Sequence, residues 1–533
     1  MNKIAVYLNE HLMGEVSSAK ALRRKFSTDG SVLSIAPEIV AFPRVTNDIR
    51  KIARFTWQLA EKGHVVPLTA RGYGGDTTGA AIGKGVVIDL SQHLNSVIEV
   101  VAKDKLVHVQ PGASLKTVNE ALRWQGMKLY GATDYALKPV SVGGAIASDS
   151  FGADGTVAGS VERLEVILAN GDIIETGKIS KRDVSKKLGL QTFEGEIYRK
   201  LEGLLEDNEA LIKQLAQDET RDNTGYKRLA DIRDKDGSFD LTPLFIGSQG
   251  TLGIISEVVL KTDFYSVDDT HVAVMTDSIQ TARDLAERIN DLEPTELTIY
   301  DGALFRRAAH QGAQFSLLGS VDQVGAVLYV RFNDFSPRVQ THKLKKLRRL
   351  LAKATIGAID STERDPADFK TITGILQTLS LGSSEDHIAI PLLNGASVPA
   401  NRREEFEIAL GELAARDHIE LPVVVNCIDG TYDVATLLKL ESVSDKQKLF
   451  KLLTDYATVV DRCGGAFTAD GAEGRLKAPA AWAVLDGAQV DLYHQLRAIF
   501  DPFNTLNPGV KDKTELRTLV AALRADFDGA SVL

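Results

Sequence analysis

The spacing of apolar residues changes character twice along the chain. Ile49, Ile52, Ala53, Thr56, Leu59 and Ala60 mark one stripe of a 3.6-residue helix, closed by Gly63 and offered an N-cap by Thr46. Val65-Val66-Pro67-Leu68 and residues 86–90 read as short strands on either side of a glycine-rich loop at 71–79. Residues 97–102 and 106–110 predict a hairpin turning at Lys103-Asp104-Lys105. Ser114 is placed to cap a second helix whose inner face holds Leu115, Val118 and Leu122. A second glycine cluster at 141–159 leads into a strand at 164–168. Residues 178–240 are rich in charge, with an amphipathic stretch at Tyr198, Leu201, Leu204 and Leu205, and predict inserted surface helices.

Beyond about residue 263 longer elements take over. Strand patterns at 271–276, 296–300, 325–332, 387–391 and 422–427 alternate with helical patterns at 278–291, 336–353 and 399–416. That texture predicts an α+β lobe, a sheet carrying helices. Glycines return at 463–511, which ends in Phe500-Asp501-Pro502 and Leu506-Asn507-Pro508-Gly509. The layout implied is a lobe, an inserted second lobe, and a return to the first.

Composition narrows the classes. With 533 residues, 44% hydrophobic and 25% charged, the chain has the ordinary globular profile and enough length to bury a core without staples. Lysine and arginine total 62 against 72 acidic residues, a net charge of −10, which argues against general nucleic-acid binding. Two cysteines, Cys427 and Cys463, exclude a disulfide scaffold, a four-cysteine zinc site and an Fe–S cluster held by this chain alone. A reducing, cytoplasmic setting is the simplest expectation. Residues 1–26 carry Glu10 and Glu15 where a signal peptide needs an apolar core, and no run of about 18 apolar residues predicts a span.

The glycine clusters carry the candidate chemistry. The first reads Arg71-Gly72-Tyr73-Gly74-Gly75-Asp76-Thr77-Thr78-Gly79, a loop whose backbone N–H groups could approach a pyrophosphate. It lacks the Gly-Lys-Ser/Thr of a P-loop, and strand rather than helix follows it, unlike a dinucleotide fingerprint. The second, Ser141-Val142-Gly143-Gly144-Ala145-Ile146-Ala147-Ser148-Asp149-Ser150-Phe151-Gly152, is built of small residues that would let a flat group lie against the backbone. The third is Gly247-Ser248-Gln249-Gly250-Thr251-Leu252-Gly253-Ile254.

In order and spacing these segments, with Gln110-Pro111-Gly112 and Leu506-Asn507-Pro508-Gly509, resemble the FAD-linked oxidases of the vanillyl-alcohol-oxidase/p-cresol-methylhydroxylase superfamily. Within it they are most similar to the branch of D-lactate dehydrogenases and glycolate oxidase catalytic subunits. The resemblance implies a PCMH-type FAD lobe of two α/β subdomains with a ferredoxin-like α+β cap. It divides the chain into a helical segment 1–26, an FAD domain 27–262 containing the charged insertion 178–240, a cap 263–462, a return 463–515 and a C-terminal helix or tail 516–533. By position, residues 71–79 would cradle the FAD diphosphate. Ser141, Val142, Gly143, Gly144, Ala147, Ser148, Ser150 and Gly152 would pass near the ribityl chain and ring. Gly253 and Ile254 would meet the adenosine end, and Asn507 the isoalloxazine. Tyr73 stands where many relatives have a histidine that bonds the flavin, which implies non-covalent FAD.

The chain departs from its relatives where they hold a divalent metal through His-x-Gly-Asp-Gly-Asn-x-His and Gly-Glu-His-Gly-Ile-Gly. Here the first stretch runs from Asn426 to Asp433 without a histidine, and Gly471 stands in the place of the third imidazole. The resemblance therefore implies no zinc-type site. An oxygen-rich substitute from Asp429, Asp433, Asp470 and Glu473 is the sharper alternative, and solvated or paired carboxylates are the plainer one. Candidates for the chemistry on the matching segments are Asp470, Glu473 and Arg475, with Lys477 and Tyr432 behind them; His387 reads as a structural strand residue.

The function implied is oxidation of a small 2-hydroxy acid by hydride transfer to FAD. The electrons would pass to an external acceptor: a quinone, an electron-transfer flavoprotein or dioxygen. A sugar or alditol oxidase needing no metal, and a flavin-binding subunit with a decayed site, remain as alternatives. Residues 342–351, His-Lys-Leu-Lys-Lys-Leu-Arg-Arg-Leu-Leu, form a basic amphipathic pattern that suits either a solvated helix face or peripheral contact with the inner membrane surface. Oligomeric state is not legible.

Overall fold

The stripe at Ile49 does form a helix, Thr46–Ala60 (α1), with Ile49, Ile52, Ala53 and Thr56 buried. Thr46 does not cap it. The buried carboxylate of Asp48 secures its start instead: Oδ1 accepts the amide of Met13 (2.9 Å), and Oδ2 those of Gly14 (3.0 Å) and Arg44 (3.0 Å). One carboxylate thus fastens the first turn of α1 to both the preceding loop and the N-terminal segment. The computed structural model describes residues 2–129, 139–152, 155–266, 269–354, 357–361, 365–381, 388–440, 442–524 and 527.

The chain divides into two compact units. The first is made by the described residues of Met1–Ala132, Lys138–Asp263 and Thr468–Arg524. Its two larger sheets have four and five strands. Strands Glu15–Ser17 (β1), Ile39–Phe42 (β2), Leu68–Arg71 (β3) and Val86–Asp89 (β4) lie in the order β1-β2-β4-β3, with β4 parallel to both β2 and β3. Strands Val97–Val101 (β5), Leu106–Val109 (β6), Val161–Ile167 (β7), Ile173–Glu175 (β8) and Ile254–Lys261 (β9) form an antiparallel sheet, β8-β7-β9-β6-β5.

α1 packs its stripe on the four-stranded sheet, in a core with Ile39, Ala41, Leu68, Val86, Ile88 and Leu506. Leu506 belongs to the C-terminal return, which bridges Leu68 in parallel and so continues the sheet beside β3. Ser114 caps Leu115–Arg123 (α2) as expected, its Oγ accepting the amide of Thr117 at 2.9 Å. The charged segment includes a helix, Phe193–Asp207 (α4, following Val142–Ser148 as α3), that buries Ile197, Tyr198, Leu201, Leu204 and Leu205. It packs on the helix Gly487–Phe500 of the return.

The second unit is built on Phe264–Phe467. Its antiparallel sheet contains Thr270–Thr276 (β10), Glu296–Asp301 (β11), Ala326–Phe332 (β12), Ala358–Asp360 (β13), Ile388–Ser397 (β14), Val423–Asn426 (β15) and Thr431–Leu438 (β16), in the order β13-β10-β12-β11-β15-β16-β14. Helices Ile279–Asn290 (α5) and Pro337–Ala354 (α6) join β10 to β11 and β12 to β13. The first four strands and these two helices therefore make a ferredoxin-like split βαβ, extended on one edge by three further strands. β16 and the helix Val443–Arg462 add to the elements expected from sequence. No helix among the described residues is long and apolar enough to cross a membrane.

Asp48→Ala strips three amides of their acceptor and should cost about 2–4 kcal/mol. Urea unfolding of the purified variant against the wild type measures it, and an unchanged midpoint would refute the fastening role.

Candidate functional site

The loop after β3 leaves its backbone donors unspent. Among the described residues, no hydrogen bond takes the amides from Gly72 through Thr77. The turn is held from below instead. Asp76 Oδ2 accepts the amides of Thr78 (3.0 Å) and Ala80 (2.7 Å), and the Thr78 hydroxyl donates to the same carboxylate (3.0 Å). Arg71, at the end of β3, donates to the carbonyls of Thr28 (2.8 Å) and Ala81 (3.3 Å) and lies 5.2 Å from the Phe26 ring centroid. A run of six free N–H groups on a braced loop is a nest for an anion, and the diphosphate of FAD fits it. Space agrees. A Cβ on Gly72 would come within 2.1 Å of Ser141 Oγ, whereas one on Gly75 would meet nothing within 4 Å.

Three remote segments converge under this loop on Asn507, which is 1% exposed and has φ +44°. Its Nδ2 donates to the carbonyls of Ala80 (2.9 Å) and Gln249 (2.8 Å); its Oδ1 accepts from Thr69 Oγ1 (3.2 Å) and Arg475 Nη2 (2.9 Å). Gln249 completes the junction, donating from Nε2 to Thr78 Oγ1 (3.3 Å) and accepting the Gly474 amide at Oε1 (2.8 Å). That pairing needs one donor and one acceptor on the same side chain. A carboxylate offers only acceptors, so glutamine meets both requirements and glutamate would not.

The second cluster joins the same assembly. Ser141 Oγ accepts the Gly144 amide (3.2 Å) at the start of α3, and the amides of Val142 and Gly143 bond Ala113 O (2.9 Å) and Pro111 O (2.8 Å). Gln249 N bonds Ala147 O at 2.8 Å. Ser148 Oγ donates to Gly144 O (2.9 Å) and to Ser150 Oγ (3.2 Å). Gly152 lies in a two-residue strand paired with Gly155. Gly253 packs against Val166, and Ile254 opens β9 in the buried core.

The expected catalytic trio separates by environment. Glu473 is fully buried: Oε1 accepts from Gly225 N (3.0 Å) and Trp482 Nε1 (2.9 Å), and Oε2 pairs with Lys511 Nζ (2.8 Å). Lys511 also donates to Asn223 O. Arg475 is buried and bonds Gly79 O (2.6 Å), Asn507 Oδ1 and Pro508 O (2.9 Å). Burial brings its pKa down to about 10, against the pull of Asp29 and Asp76. Both side chains brace the lobe, with their polar atoms spent on protein. Asp470 alone is half-buried, at the edge of the same segment.

The metal-type stretch in the second unit is equally committed. Asn426 Oδ1 accepts the amides of Ile428 (3.0 Å) and Asp429 (3.3 Å), and Asp433 Oδ1 accepts that of Gly395 (2.9 Å). Tyr432 is buried, its hydroxyl donating to Glu407 at 3.0 Å. Among the described residues, no three His, Cys, Asp or Glu side chains gather around one point. His387 lies outside the described residues.

Two acidic residues escaped the sequence reading. Asp149, with φ +52° and no exposure, receives Arg221 (2.9 Å) and Arg228 (2.6 Å) from the charged segment, and its carbonyl accepts the Gly471 amide (3.3 Å). Asp29 lies buried beside the 71–79 loop, accepting from Ser31 N (3.0 Å), Ser31 Oγ (2.6 Å) and Ala81 N (3.3 Å). Burial first, and the neighbouring charge of Asp76 second, push it up to about 7. No glycine motif contains Asp29. The Asp29-x-Ser31 spacing of a local side-chain turn is a sequence signal for it.

Comparison with known proteins matches this architecture. The FAD binding domain family covers residues 37–177, and the C-terminal domain of FAD linked oxidases covers residues 268–510. The chain belongs to the FAD-linked oxidases. The solved structure of p-cresol methylhydroxylase with substrate bound shares the fold, with a TM-score of 0.69 over 97% of each chain at 12% identity. The chain is 23% identical to the glycolate oxidase subunit GlcD of Bacillus subtilis over 92% of both proteins. It is 23% identical to the D-2-hydroxyglutarate dehydrogenase of Pantoea ananatis over 93% of this chain and 50% of that one. The chain thus spans about half the length of the D-2-hydroxyglutarate dehydrogenases it matches.

Two outcomes follow for the FAD-linked oxidase. Flavin fluorescence titration of the apoprotein should find FAD binding lost in Gly72→Ala and retained in Gly75→Ala; equal behaviour of the two would refute the cradle. A carboxyl whose pKa rises on folding makes the folded state lose stability as pH climbs from the ordinary carboxylate range through about 7. Urea midpoints of Asp29→Asn should therefore fall less than those of the wild type between mildly acidic and neutral pH. Parallel curves would refute the buried, protonated Asp29.

Proposed function

We propose that this FAD-linked oxidoreductase oxidises a small 2-hydroxy acid of the D-lactate, glycolate or D-2-hydroxyglutarate type to the 2-oxo acid. The observation that carries this reading is similarity along nearly the whole chain to enzymes named for such substrates. Bound FAD would accept the hydride from the hydroxyl-bearing carbon, and the electrons would leave to an external acceptor. The loop of Gly72–Thr77 would hold the diphosphate by its unspent amides, and Asn507 and Gln249 would keep that loop in register with the 249 and 474 segments. FAD is held non-covalently, since Tyr73 occupies the place of the bonding histidine.

The hydroxyl proton needs an acceptor. Glu473 is enclosed by Lys511, Trp482 and Gly225, and Asp470, half-buried at the edge of the same segment, is our candidate for this role. With no imidazoles on the metal-type segments, the substrate is activated without a zinc-type ion.

The test is anaerobic reduction of the purified yellow protein. Bleaching of its visible absorption by one of the three hydroxy acids, with flavin released to the supernatant on acid precipitation, is expected. Bleaching by sugars or alditols alone would replace the substrate class. A yellow protein that none of these reduces would mark a flavin-binding subunit and overturn the assignment.

A further inference from the structure

Helix α6 carries charge on one side and apolar residues on the other. Leu344, Leu347 and Leu351 are buried, while Arg338, His342, Lys345, Lys346 and Arg349 are exposed. These five recur at intervals of three and four residues and line one helical face. The neighbouring cations are accounted for: Lys343 pairs with Asp334 (2.9 Å) and Arg348 with Asp360 (2.7 Å). Arg338, Lys345, Lys346 and Arg349 have no acidic partner among the described residues. On a chain of net charge −10, that is a local excess of the opposite sign.

Exposed apolar side chains stand at and just before the N-terminal end of this helix. Phe335 is 69% exposed, Phe264 50% and Val339 43%. The two rings lie 5.6 Å apart. Hydrogen bonds fix this end of the helix: Ser266 Oγ donates to Asp334 O (3.1 Å), and Gln340 Nε2 donates to Asp334 O (2.7 Å) and Ser266 Oγ (3.2 Å). Val339, three residues before His342, lies on the cationic face, and Phe335 stands two residues before the helix begins. Together these side chains give the N-terminal end of the helix an exposed apolar edge. A nucleic acid would engage the cations but leave the aliphatic Val339 without a partner, and the aromatics are not interleaved with the charges.

We propose that this face of the second unit docks on an anionic phospholipid bilayer, with Phe264, Phe335 and Val339 entering the interface and the α6 cations lying over the headgroups. A bilayer surface offers both what the cations and what the apolar end require. The proposal is independent of the substrate assigned above.

Co-sedimentation of the FAD-loaded full-length protein with phospholipid vesicles tests it. Binding is expected to vesicles containing about one-third phosphatidylglycerol, to be absent from pure phosphatidylcholine, and to fall steeply with added salt. Lys345→Gln/Lys346→Gln should lower the partition coefficient about tenfold or more. Phe335→Ser should lower it by about tenfold while leaving the slope against salt unchanged. All three side chains are exposed, so flavin content and melting temperature should match the wild type. Absence of binding to anionic vesicles, equal binding to neutral ones, wild-type binding by the lysine double variant, or tighter binding to a DNA or RNA duplex would each overturn the proposal.

Discussion

Everything around the candidate flavin cradle depends on one asparagine reaching across the sequence. Four hydrogen bonds from Asn507 meet residues 69, 80, 249 and 475, the farthest 438 positions away. None of these partners could be replaced by water, because the junction is buried and an orphaned amide there costs more than an exposed one gains. The left-handed backbone of Asn507 adds to the constraint, since asparagine tolerates that conformation better than most residues. The side chain and backbone requirements coincide on one residue type.

Charge inside the first unit follows the same logic of closure. Glu473 faces Lys511, Asp149 faces two arginines, and Asp29 and Asp76 share the surroundings of Arg71 and Arg475. Such groups are expensive to bury alone and only modestly stabilising when matched, so their value is in fixing which loop sits against which. The carboxylates of the 470–475 segment divide accordingly. Glu473 acts as a structural anchor, and Asp470 remains at the edge.

Much of this was legible in the chain. The glycine segments announced themselves because a flavin-sized ligand demands small residues and unspent amides at fixed intervals, and the ferredoxin-like half showed clean periodicity. The start of α1 was misread for a local reason: Thr46 has the composition of a cap, but Asp48 reaches farther and satisfies three amides at once. Asp149 was invisible because its partners, Arg221 and Arg228, lie in a segment that looks like a solvated insertion. Its charges look superficial in sequence and prove partly internal in space. The role of Gln249 becomes clear only when Thr78 and Gly474 are seen on its two sides.

The return segment has a bearing on how the molecule is made. Residues 468–511 reach the first unit only after Phe264–Phe467 has been threaded through the synthesis of the chain. Until Glu473, Arg475 and Asn507 emerge from the ribosome, the loop at 71–79 has its amides exposed and no junction beneath it. Domains generally fold as they are synthesised, and contacts of this separation close last. The first unit is therefore completed by a segment that follows the whole of the ferredoxin-like unit in the chain, and the junction under the 71–79 loop is the part of it that closes last.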